Sequence, residues 1–415
     1  MAKIRQLRCV QCDATYEYGA VEYTCPVCGI AGILDVELDY DAIAADGFGV
    51  SALAARSDAS IGRYFELLPV DRRESLPTLQ LGWTPVYSFP ALAGQIGVAD
   101  LLVKDDGRMP TGSFKDRASA IAVARAKETG YREVACASTG NAASSLAGMS
   151  ANSGLRAHIF VPATAPEAKV AQLLIYGANV LLVEGTYDEA YELCMDASRE
   201  FGWFNRNCAI NPFLVEGKKT CGLEIGEQLA DDPPDWVAVS IGDGCTIAGI
   251  WKGLKEMQRF GVLRRLPRLL GVQAAGASPI DRAFHRGGEQ IEPEIATTMA
   301  DSIAVGQPRN AVKALRAVRE SHGTIVTVED DAILEAMRLL AAKSGVFGEP
   351  AGVAAFAGIR AAVASATIAP TDRVLHVLTG NGLKDVRAAF RATGEARRIP
   401  VSLDAVREVV NEPAR

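Results

Sequence analysis

Thr111-Gly112-Ser113-Phe114-Lys115-Asp116-Arg117 is a glycine-containing turn that leads into residues 118–127, an apolar-periodic segment of good helix formers. Ser113 is a candidate N-cap, which would place Lys115 in the first helical turn. The positive end of the helix dipole disfavours an ammonium there and favours the neutral amine, the form that reacts with aldehydes. Taken alone, the heptapeptide favours the ordinary alternative, a solvated lysine at a helix start. Motifs elsewhere in the chain favour the reactive lysine over the solvated one.

The composition is that of a cytoplasmic protein with sizeable cores. The 415 residues are 49% hydrophobic and 22% charged, enough for two domains and an appendage. A net charge of −7 argues against a nucleic-acid surface. No apolar run reaches the length of a membrane span, and the first residues do not resemble a secretory signal. We therefore expect the nine cysteines to bind metal or to pack as small hydrophobes.

Four of these cysteines form two CxxC pairs, Cys9 with Cys12 and Cys25 with Cys28, separated by twelve residues. This spacing predicts the two knuckles of a tetrahedral zinc site, and the alternative of two disulfides is disfavoured in the cytoplasm. Four thiolates leave no open coordination position, so the predicted Zn²⁺ is structural. We predict a zinc-ribbon-like module of residues 1–35 packed on the main body. Its loop at residues 13–22 is acidic and aromatic, which argues against nucleic-acid binding.

The chain has only four histidines: His158, His285, His322 and His376. His158 and His376 lie in apolar runs typical of buried strands, where we expect hydrogen-bonded core imidazoles. There is little here for a catalytic triad or a histidine metal centre. Proton transfer must therefore depend on other side chains.

From residue 100 onward, β-rich apolar runs alternate with helical segments. Alternation of this kind predicts parallel sheets covered by helices, here in two open doubly wound α/β domains. The predicted strands are residues 134–138, 158–162, 179–183, 236–241, 269–273, 325–328 and 374–378. A further helix is expected near residues 60–67.

Gly-, Ser- or Thr-containing turns follow three of these strands, at residues 138–143, 242–249 and 379–382, and each opens a new helix. Ligands of parallel sheets bind outside the carboxyl ends of the strands, where backbone N–H groups can hold an anion. Three such turns, together with the Lys115 turn, predict one shared crevice.

A nicotinamide enzyme is a weaker alternative for the turn at 242–249. The turn follows a strand and opens a helix, as a dinucleotide-binding loop does. Its spacing, however, is GxGxxxxG, and the next strand ends at Gln273 instead of an acidic residue that could bind a ribose hydroxyl.

Together with residues 272–279 and Glu349-Pro350-Ala351-Gly352, these motifs resemble threonine synthase and its relatives over about residues 80–390. Those are fold-type-II enzymes dependent on pyridoxal 5′-phosphate (PLP). The resemblance implies two α/β domains with the PLP crevice between them, and a homodimer. The implied boundaries are 36–125 and 226–395 for a large PLP-binding domain, 126–225 for a small domain and 396–415 for a C-terminal tail.

The resemblance also implies roles for single residues. Lys115 would bind PLP as a Schiff base and then move protons. Asn141 would bond the ring hydroxyl, and Thr379 would face the pyridine nitrogen, where a hydroxyl favours elimination and replacement over transamination. The substrate carboxylate would lie on Ser138, Thr139 and Gly140. The cofactor phosphate would lie on the backbone amides of Gly242, Asp243, Gly244, Cys245 and Thr246.

The sequence departs from the family where the substrate phosphate is usually bound. Leu214 stands in place of an arginine, and Cys208 and Ala209 replace polar residues. A phosphate needs charge-assisted donors, each contributing roughly 1.5–3 kcal/mol. Lys218 or Arg108 could replace the lost guanidinium, but losing three contacts together predicts a different leaving group.

Further departures are Asn381 and Val386, where the family usually has histidine and proline. Residues 298–305 also resemble the threonine and serine dehydratase branch of the same fold. Both observations favour a changed substrate.

We therefore predict a PLP-dependent lyase acting on a small L-amino acid with a leaving group at Cβ or Cγ. The nearest named activity is that of threonine synthase, which converts O-phospho-L-homoserine and water to L-threonine and phosphate. The alternative is a β-eliminating or β-replacing enzyme of the threonine/serine dehydratase type with a non-phosphorylated substrate. A non-catalytic zinc-ribbon protein on an inactive enzyme scaffold is the alternative of another class, disfavoured by the intact lysine turn and the acidic balance. We expect no nucleic-acid or membrane partner.

Overall fold

The computed structural model describes residues 3–165, 167–207, 209–394 and 396–411. Cys208, one of the departures noted above, lies outside the described residues. No helix within the described ranges combines the length and apolar character needed to cross a membrane.

The strands form three sheets. In chain order they are β1 (Ile4–Cys9), β2 (Thr15–Tyr16), β3 (Leu34–Leu38), β4 (Val86–Ser88), β5 (Asp100–Asp105), β6 (Glu133–Ala137), β7 (Arg156–Pro162), β8 (Asn179–Val183), β9 (Phe204–Asn205), β10 (Trp236–Ser240), β11 (Arg268–Ala274), β12 (Thr324–Val328) and β13 (Arg373–Leu378). The sheet orders are β2-β1-β3, β12-β11-β10-β13-β5-β4 and β8-β7-β6-β9.

Helices surround the two larger sheets. The α-helices are α1 (Tyr40–Ala45), α2 (Val50–Ala54), α3 (Pro90–Ile96), α4 (Lys115–Glu128), α5 (Asn141–Ser153), α6 (Glu167–Ile175), α7 (Tyr187–Phe201), α8 (Phe213–Gln228), α9 (Cys245–Arg259), α10 (Pro279–His285), α11 (Ala311–Glu320), α12 (Asp330–Ser344), α13 (Pro350–Ala364), α14 (Val386–Thr393) and α15 (Leu403–Asn411). Short 3-10 helices lie at Gly29–Ala31, Ile61–Leu67, Arg73–Ser75, Asp106–Arg108, Asp301–Ile303 and Gly382–Asp385.

All seven predicted strands are present, with ends within two residues of the predicted ones. The apolar runs of the inner strands are buried on both faces, as in β10, where Val237, Ala238 and Val239 are inaccessible to solvent, whereas the edge strand β8 is partly exposed. A parallel sheet covered by helices requires this pattern. The helix expected near residues 60–67 is the 3-10 helix Ile61–Leu67.

The larger sheet contains two strands that the sequence did not predict. Strand β4 pairs antiparallel with β5, so this sheet is mixed at one edge and not purely parallel. Strand β5 contains Lys104, a charge that hides its buried character in the sequence. In the fold the Lys104 ammonium lies 2.7 Å from the Glu224 carboxylate and donates to the Thr84 carbonyl at 2.9 Å. This pairing compensates for the loss of hydration.

Of the two histidines expected to be hydrogen-bonded in the core, His158 has such a contact and His376 has none among the described residues. The His158 ring stacks on Trp203 at 3.9 Å and lies 3.1 Å from the Asn179 side chain. His376 is fully buried on β13 near the Phe356 ring, and neither ring nitrogen has a hydrogen-bond partner among the described residues. The expected hydrogen bond of His376 is therefore wrong. Burial lowers the pKa of His376 to about 3, so the ring stays neutral.

Helices α4, α8 and α9 pack against one another, α8 lying against both of the others. Helices α8 and α9 approach closely at Gly222 and Gly253, where a Cβ atom on either glycine would overlap the backbone of the other helix. Arg117 on α4 is fully buried and pairs with Asp106 and with Glu224 on α8. This network fixes the helix that begins with Lys115.

Candidate active site

A cavity of about 690 Å³ opens where β6, β10 and β13 end. A volume of this size is typical of small-molecule sites. The structure brings all the residues predicted for cofactor and substrate into its wall: Lys115, Ser138, Thr139, Gly140, Asn141, Gly242, Asp243, Gly244, Cys245, Thr246 and Thr379. No histidine is among the residues that line it.

Lys115 is half-buried as the first residue of α4, as the sequence predicted, but the proposed cap is wrong. Phe114 occupies the N-cap position, and the buried Ser113 hydroxyl has no hydrogen-bond partner among the described residues. The Asp116 carboxylate holds the turn instead, accepting from the Thr111 amide at 2.8 Å and from its hydroxyl at 2.5 Å. Backbone bonds to the end of β13 fix the rest of the turn.

Two such bonds connect the Lys115 turn to the Thr379 turn. The Phe114 amide donates to the Thr379 carbonyl at 2.9 Å, and the Asn381 amide donates to the Gly112 carbonyl at 2.9 Å. The backbone segments that carry the Lys115 amine and the Thr379 hydroxyl are therefore hydrogen-bonded to each other.

Asn141 and Glu349 form a polar pair at the start of α5. The Asn141 amide donates to the Glu349 carboxyl at 2.7 Å and more weakly to the Ser302 hydroxyl at 3.3 Å. Burial raises the pKa of Glu349 to about 7, although the ammonium groups of Lys384 and Lys115 act to lower it. No role was predicted for Glu349 from the sequence. An acidic residue directly before a proline that opens a helix was the available signal.

The turn at 242–246 has a backbone suited to an anion. Gly244 adopts the left-handed conformation at φ +92°, and a Cβ there would lie 2.8 Å from that of Ala314. The Asp243 carboxylate and carbonyl accept the amides of Arg309 and Asn310. These two hydrogen bonds hold the loop to the start of α11. The first amides of α9, which follow the loop, have no acceptor within the helix and can therefore bind an anion.

The residues Ser138, Thr139 and Gly140 form the corresponding turn before α5 and are half-exposed. The Gly140 amide donates to the Ser138 hydroxyl at 3.2 Å, which keeps the turn closed. The start of α5 thus provides a second site where a carboxylate could bind.

Arg206 is a lining residue that the sequence analysis missed. It is 1% exposed, and its Nε donates to the Ser119 hydroxyl at 3.2 Å. Its Nη2 is buried without a hydrogen-bond partner among the described residues. The Arg206 amide bonds the Ala135 carbonyl at 2.9 Å and so extends the pairing of β9 with β6. A strand as short as β9 leaves little signal in the sequence.

Lys218 and Arg309 add two further cations to the wall. Lys218 was one of the two cations expected to replace the missing guanidinium. The other, Arg108, is exposed and is not among the lining residues. Leu214 is buried in the core and does not line the cavity either. The cations that line the cavity therefore lie at sequence positions other than 214, where the family usually has arginine.

The four predicted metal ligands lie together at the N-terminal sheet. Their sulfur atoms are within 4.8 Å of one another, and the Cys12 and Cys25 sulfurs are 3.8 Å apart. A tetrahedral site with Zn–S bonds of about 2.3 Å has sulfur–sulfur distances of about 3.8 Å. A Cβ on Gly32 would lie 2.6 Å from the Cβ atoms of Cys25 and Cys28, so this turn requires glycine. The cluster comprises Cys9, Cys12, Cys25 and Cys28.

The chain is similar to known proteins in sequence and in fold. Residues 77–380 match the family described as pyridoxal-phosphate dependent enzyme. A threonine synthase from Methanocaldococcus jannaschii is 39% identical over 407 residues, which cover 98% of this chain and 99% of that protein. A threonine synthase from Synechocystis sp. is 40% identical over 343 residues, covering 82% of this chain and 87% of that protein.

Solved structures show the same fold. Threonine deaminase isoform 2 from Solanum lycopersicum matches with a TM-score of 0.63 at 23% identity, covering 75% of this chain and 83% of that chain. Diaminopropionate ammonia lyase from Escherichia coli matches with a TM-score of 0.65 at 20% identity, covering 84% of this chain and 94% of that chain.

Proposed function

The chain belongs to the pyridoxal-phosphate dependent enzyme family, as a threonine-synthase-like lyase of fold type II, and on that basis we propose which residues perform its reaction. Bound PLP supplies an aldehyde for an amine and a ring that withdraws electrons from the substrate α-carbon. Lys115 is the amine that lines the cavity at the predicted position, and it removes and returns the α-proton.

The remaining assignments follow from the turns of the cavity. The amides of Gly242–Thr246 hold the cofactor phosphate, and the start of α5 at Ser138–Gly140 holds the substrate carboxylate. Asn141 would bond the ring hydroxyl with the N–H that makes the 3.3 Å contact to Ser302, while Glu349 accepts the other N–H at 2.7 Å. Thr379 would face the ring nitrogen. Glycines let this loop pack closely, because a Cβ on Gly244 would overlap the start of α11 and one on Gly242 would lie 3.1 Å from the Ile303 Cα.

The proposed substrate is an O-phosphorylated amino acid, as in the threonine synthase reaction. The observation that carries this proposal is the buried Arg206, whose Nη2 lacks a partner among the described residues in a wall that also contains Lys218. Of the lining carboxylates, Asp301 pairs with Lys169, and Glu294 lies 2.6 Å from Arg282. The charge of Arg206 has no such partner among the described residues and can serve a second anion on the substrate.

The dehydratase-type activity on a non-phosphorylated substrate remains the second candidate. It is favoured by residues 298–305, which resemble the dehydratase branch and of which 301–305 line the cavity. Phosphate release from O-phospho-L-homoserine should be compared with 2-oxo-acid formation from L-threonine and L-serine in the same preparation. We expect phosphate release with the higher kcat/KM. Oxo-acid formation alone would replace the proposed substrate by the alternative.

The four-cysteine cluster is proposed to hold one structural Zn²⁺. Its support is the donor set of four thiols at tetrahedral spacing. We expect the purified protein to contain zinc near a 1:1 ratio, and Cys12→Ser to lose it. Absence of zinc from both proteins after growth in zinc-supplemented medium would contradict the assignment.

We further propose that the protein is a homodimer and is located in the cytoplasm. Thiolate ligands require a reducing compartment. Apolar side chains at the C-terminal end of the chain are exposed, among them Phe390, Leu403 and Val410, and a second copy could cover them. Light scattering coupled to gel filtration should give twice the 44.0 kDa chain mass.

A further inference from the structure

The four-cysteine module contacts the loop proposed to hold the cofactor phosphate. The module comprises residues 3–38, which contain the sheet β2-β1-β3 and both cysteine knuckles. Val10, inside the first knuckle, and Ile33, after the second, belong to one buried cluster with Ala209, Val215 and Cys245. Cys245 is the first residue of α9 and lines the cavity. The module is thus packed directly behind the phosphate loop.

A second contact joins the module to the segment that carries Arg206. The Tyr23 hydroxyl accepts the amide of Asn205 at 3.0 Å, one residue before Arg206. The Tyr23 ring also packs edge-on against Phe204, with ring centres 6.3 Å apart. Tyr23 of the module therefore has a packing role on the body of the enzyme.

A third contact uses charge. The Asp35 carboxylate lies 3.0 Å from the Lys313 ammonium on α11 and 3.3 Å from Lys252 on α9. Lys313 also donates to the Leu34 carbonyl at 2.8 Å. Helix α11 is the element against which Gly244 packs. The module therefore holds both helices that flank the phosphate loop.

The buried cluster between the module and α9 contains backbone strain that such contacts can maintain. Ala209 adopts φ +69° without being glycine, a conformation that costs about 1–2 kcal/mol. Strained residues persist only where the surrounding structure fixes them. A module of fewer than about 40 residues depends on its metal or a partner surface for a defined conformation.

We propose that the four-cysteine module is a positioning element of the active site: its metal-bound form holds the phosphate loop through Ile33 and Cys245, so that loss of the metal weakens PLP binding. The inference rests on the cofactor and metal assignments proposed above. Because binding free energies are reciprocal, bound PLP should raise the affinity for the metal by the same factor.

Two matched isoleucines in the module provide the test. Ile33 is 2% exposed in the contact cluster, whereas Ile30 is 59% exposed on the second knuckle. We expect Ile33→Ala to keep wild-type zinc content but to raise the Kd for PLP by about tenfold, equivalent to about 1.4 kcal/mol. Ile30→Ala should change neither, and Ile33→Val should restore most of the affinity. The Kd is read from the visible absorbance of lysine-bound PLP. Equal Kd values for Ile33→Ala and Ile30→Ala would overturn the proposal.

Chelation tests the metal dependence in the wild-type chain, including the case in which Ile33→Ala does not fold. The full-length protein is stripped of metal, checked for retained helix content by circular dichroism, and titrated with PLP before and after zinc is restored. A Kd that rises on stripping and recovers with zinc supports the proposal. A Kd that is unchanged on stripping, or a protein that takes up no zinc, would overturn the metal dependence. Neither result would affect the assignment of Lys115.

Discussion

Glu349 is the buried carboxyl group of the cavity whose protonation changes near neutral pH. It accepts an N–H of Asn141 and lies within the fields of Lys384, Lys115 and Asp301. Burial is the largest effect and raises its pKa from 4.5 to about 7. The carboxyl therefore helps to position Asn141 in two protonation states over the physiological range.

The raised pKa of Glu349 predicts a pH-dependent stability. The folded protein retains this proton up to about pH 7, whereas the unfolded chain releases it near pH 4.5. The contribution to the free energy of unfolding is therefore complete below pH 4.5 and is lost as the pH rises to 7. Glu349→Gln should remove this loss, which is on the order of 3 kcal/mol. Urea unfolding at pH 5 and pH 8 measures it, with the exposed Glu408→Gln as control. An unchanged pH dependence in Glu349→Gln would contradict the assignment.

Arg206 predicts a selective loss of activity. Arg206→Gln removes a charge-assisted donor, so kcat/KM for the phosphorylated substrate should fall by roughly 10- to 150-fold, equivalent to about 1.5–3 kcal/mol. The Kd for PLP should change little, since backbone amides form the proposed phosphate loop. Arg199→Gln on the exposed face of α7 is the matched control. A loss of PLP affinity equal to the loss of kcat/KM would instead place Arg206 on the cofactor.

At the scale of elements, the crossing of α8 and α9 positions Lys218 and Cys245. Gly222 and Gly253 allow the two backbones to approach within contact distance. The glycine of α3 is different, because nothing lies within 4 Å of a Cβ built on Gly94. The same substitution should therefore have opposite effects in the two places.

Gly222→Ala should destabilise the protein by about 1–3 kcal/mol, because the new methyl overlaps the Ile250 carbonyl. Gly94→Ala should stabilise it by about 0.5–1 kcal/mol, because it lowers the entropy of the unfolded chain in an exposed helix. Denaturant midpoints of the two variants against wild type measure both effects. Equal shifts in one direction would show that the helix crossing is looser than described.

At the scale of the whole molecule, the sequence predicted the elements with local signals. The seven strands have runs of apolar residues, which are buried on both faces in the inner strands, and the lysine turn and the turns after the strands have glycines in fixed order. The position of these turns at the carboxyl ends of parallel strands predicted that they form one crevice. The cavity is lined by all of them.

What the sequence did not predict depends on pairings between distant residues. Strand β5 was missed because Lys104 is neutralised by Glu224, 120 positions along the chain. Arg206 was missed because its place in the cavity is set by pairing of the two-residue strand β9 with β6. Leu214 was interpreted as a lost contact, although its side chain is in the core. None of these arrangements has a local pattern.

The central claim is that Lys115 is the amine that binds the cofactor. Borohydride reduces a Schiff base between lysine and pyridoxal to a stable secondary amine, which peptide mass mapping can locate. We expect a single pyridoxyl group on Lys115 in the wild-type protein and none in Lys115→Ala. A pyridoxyl group on another lysine, or no adduct in wild-type protein saturated with PLP, would contradict the account.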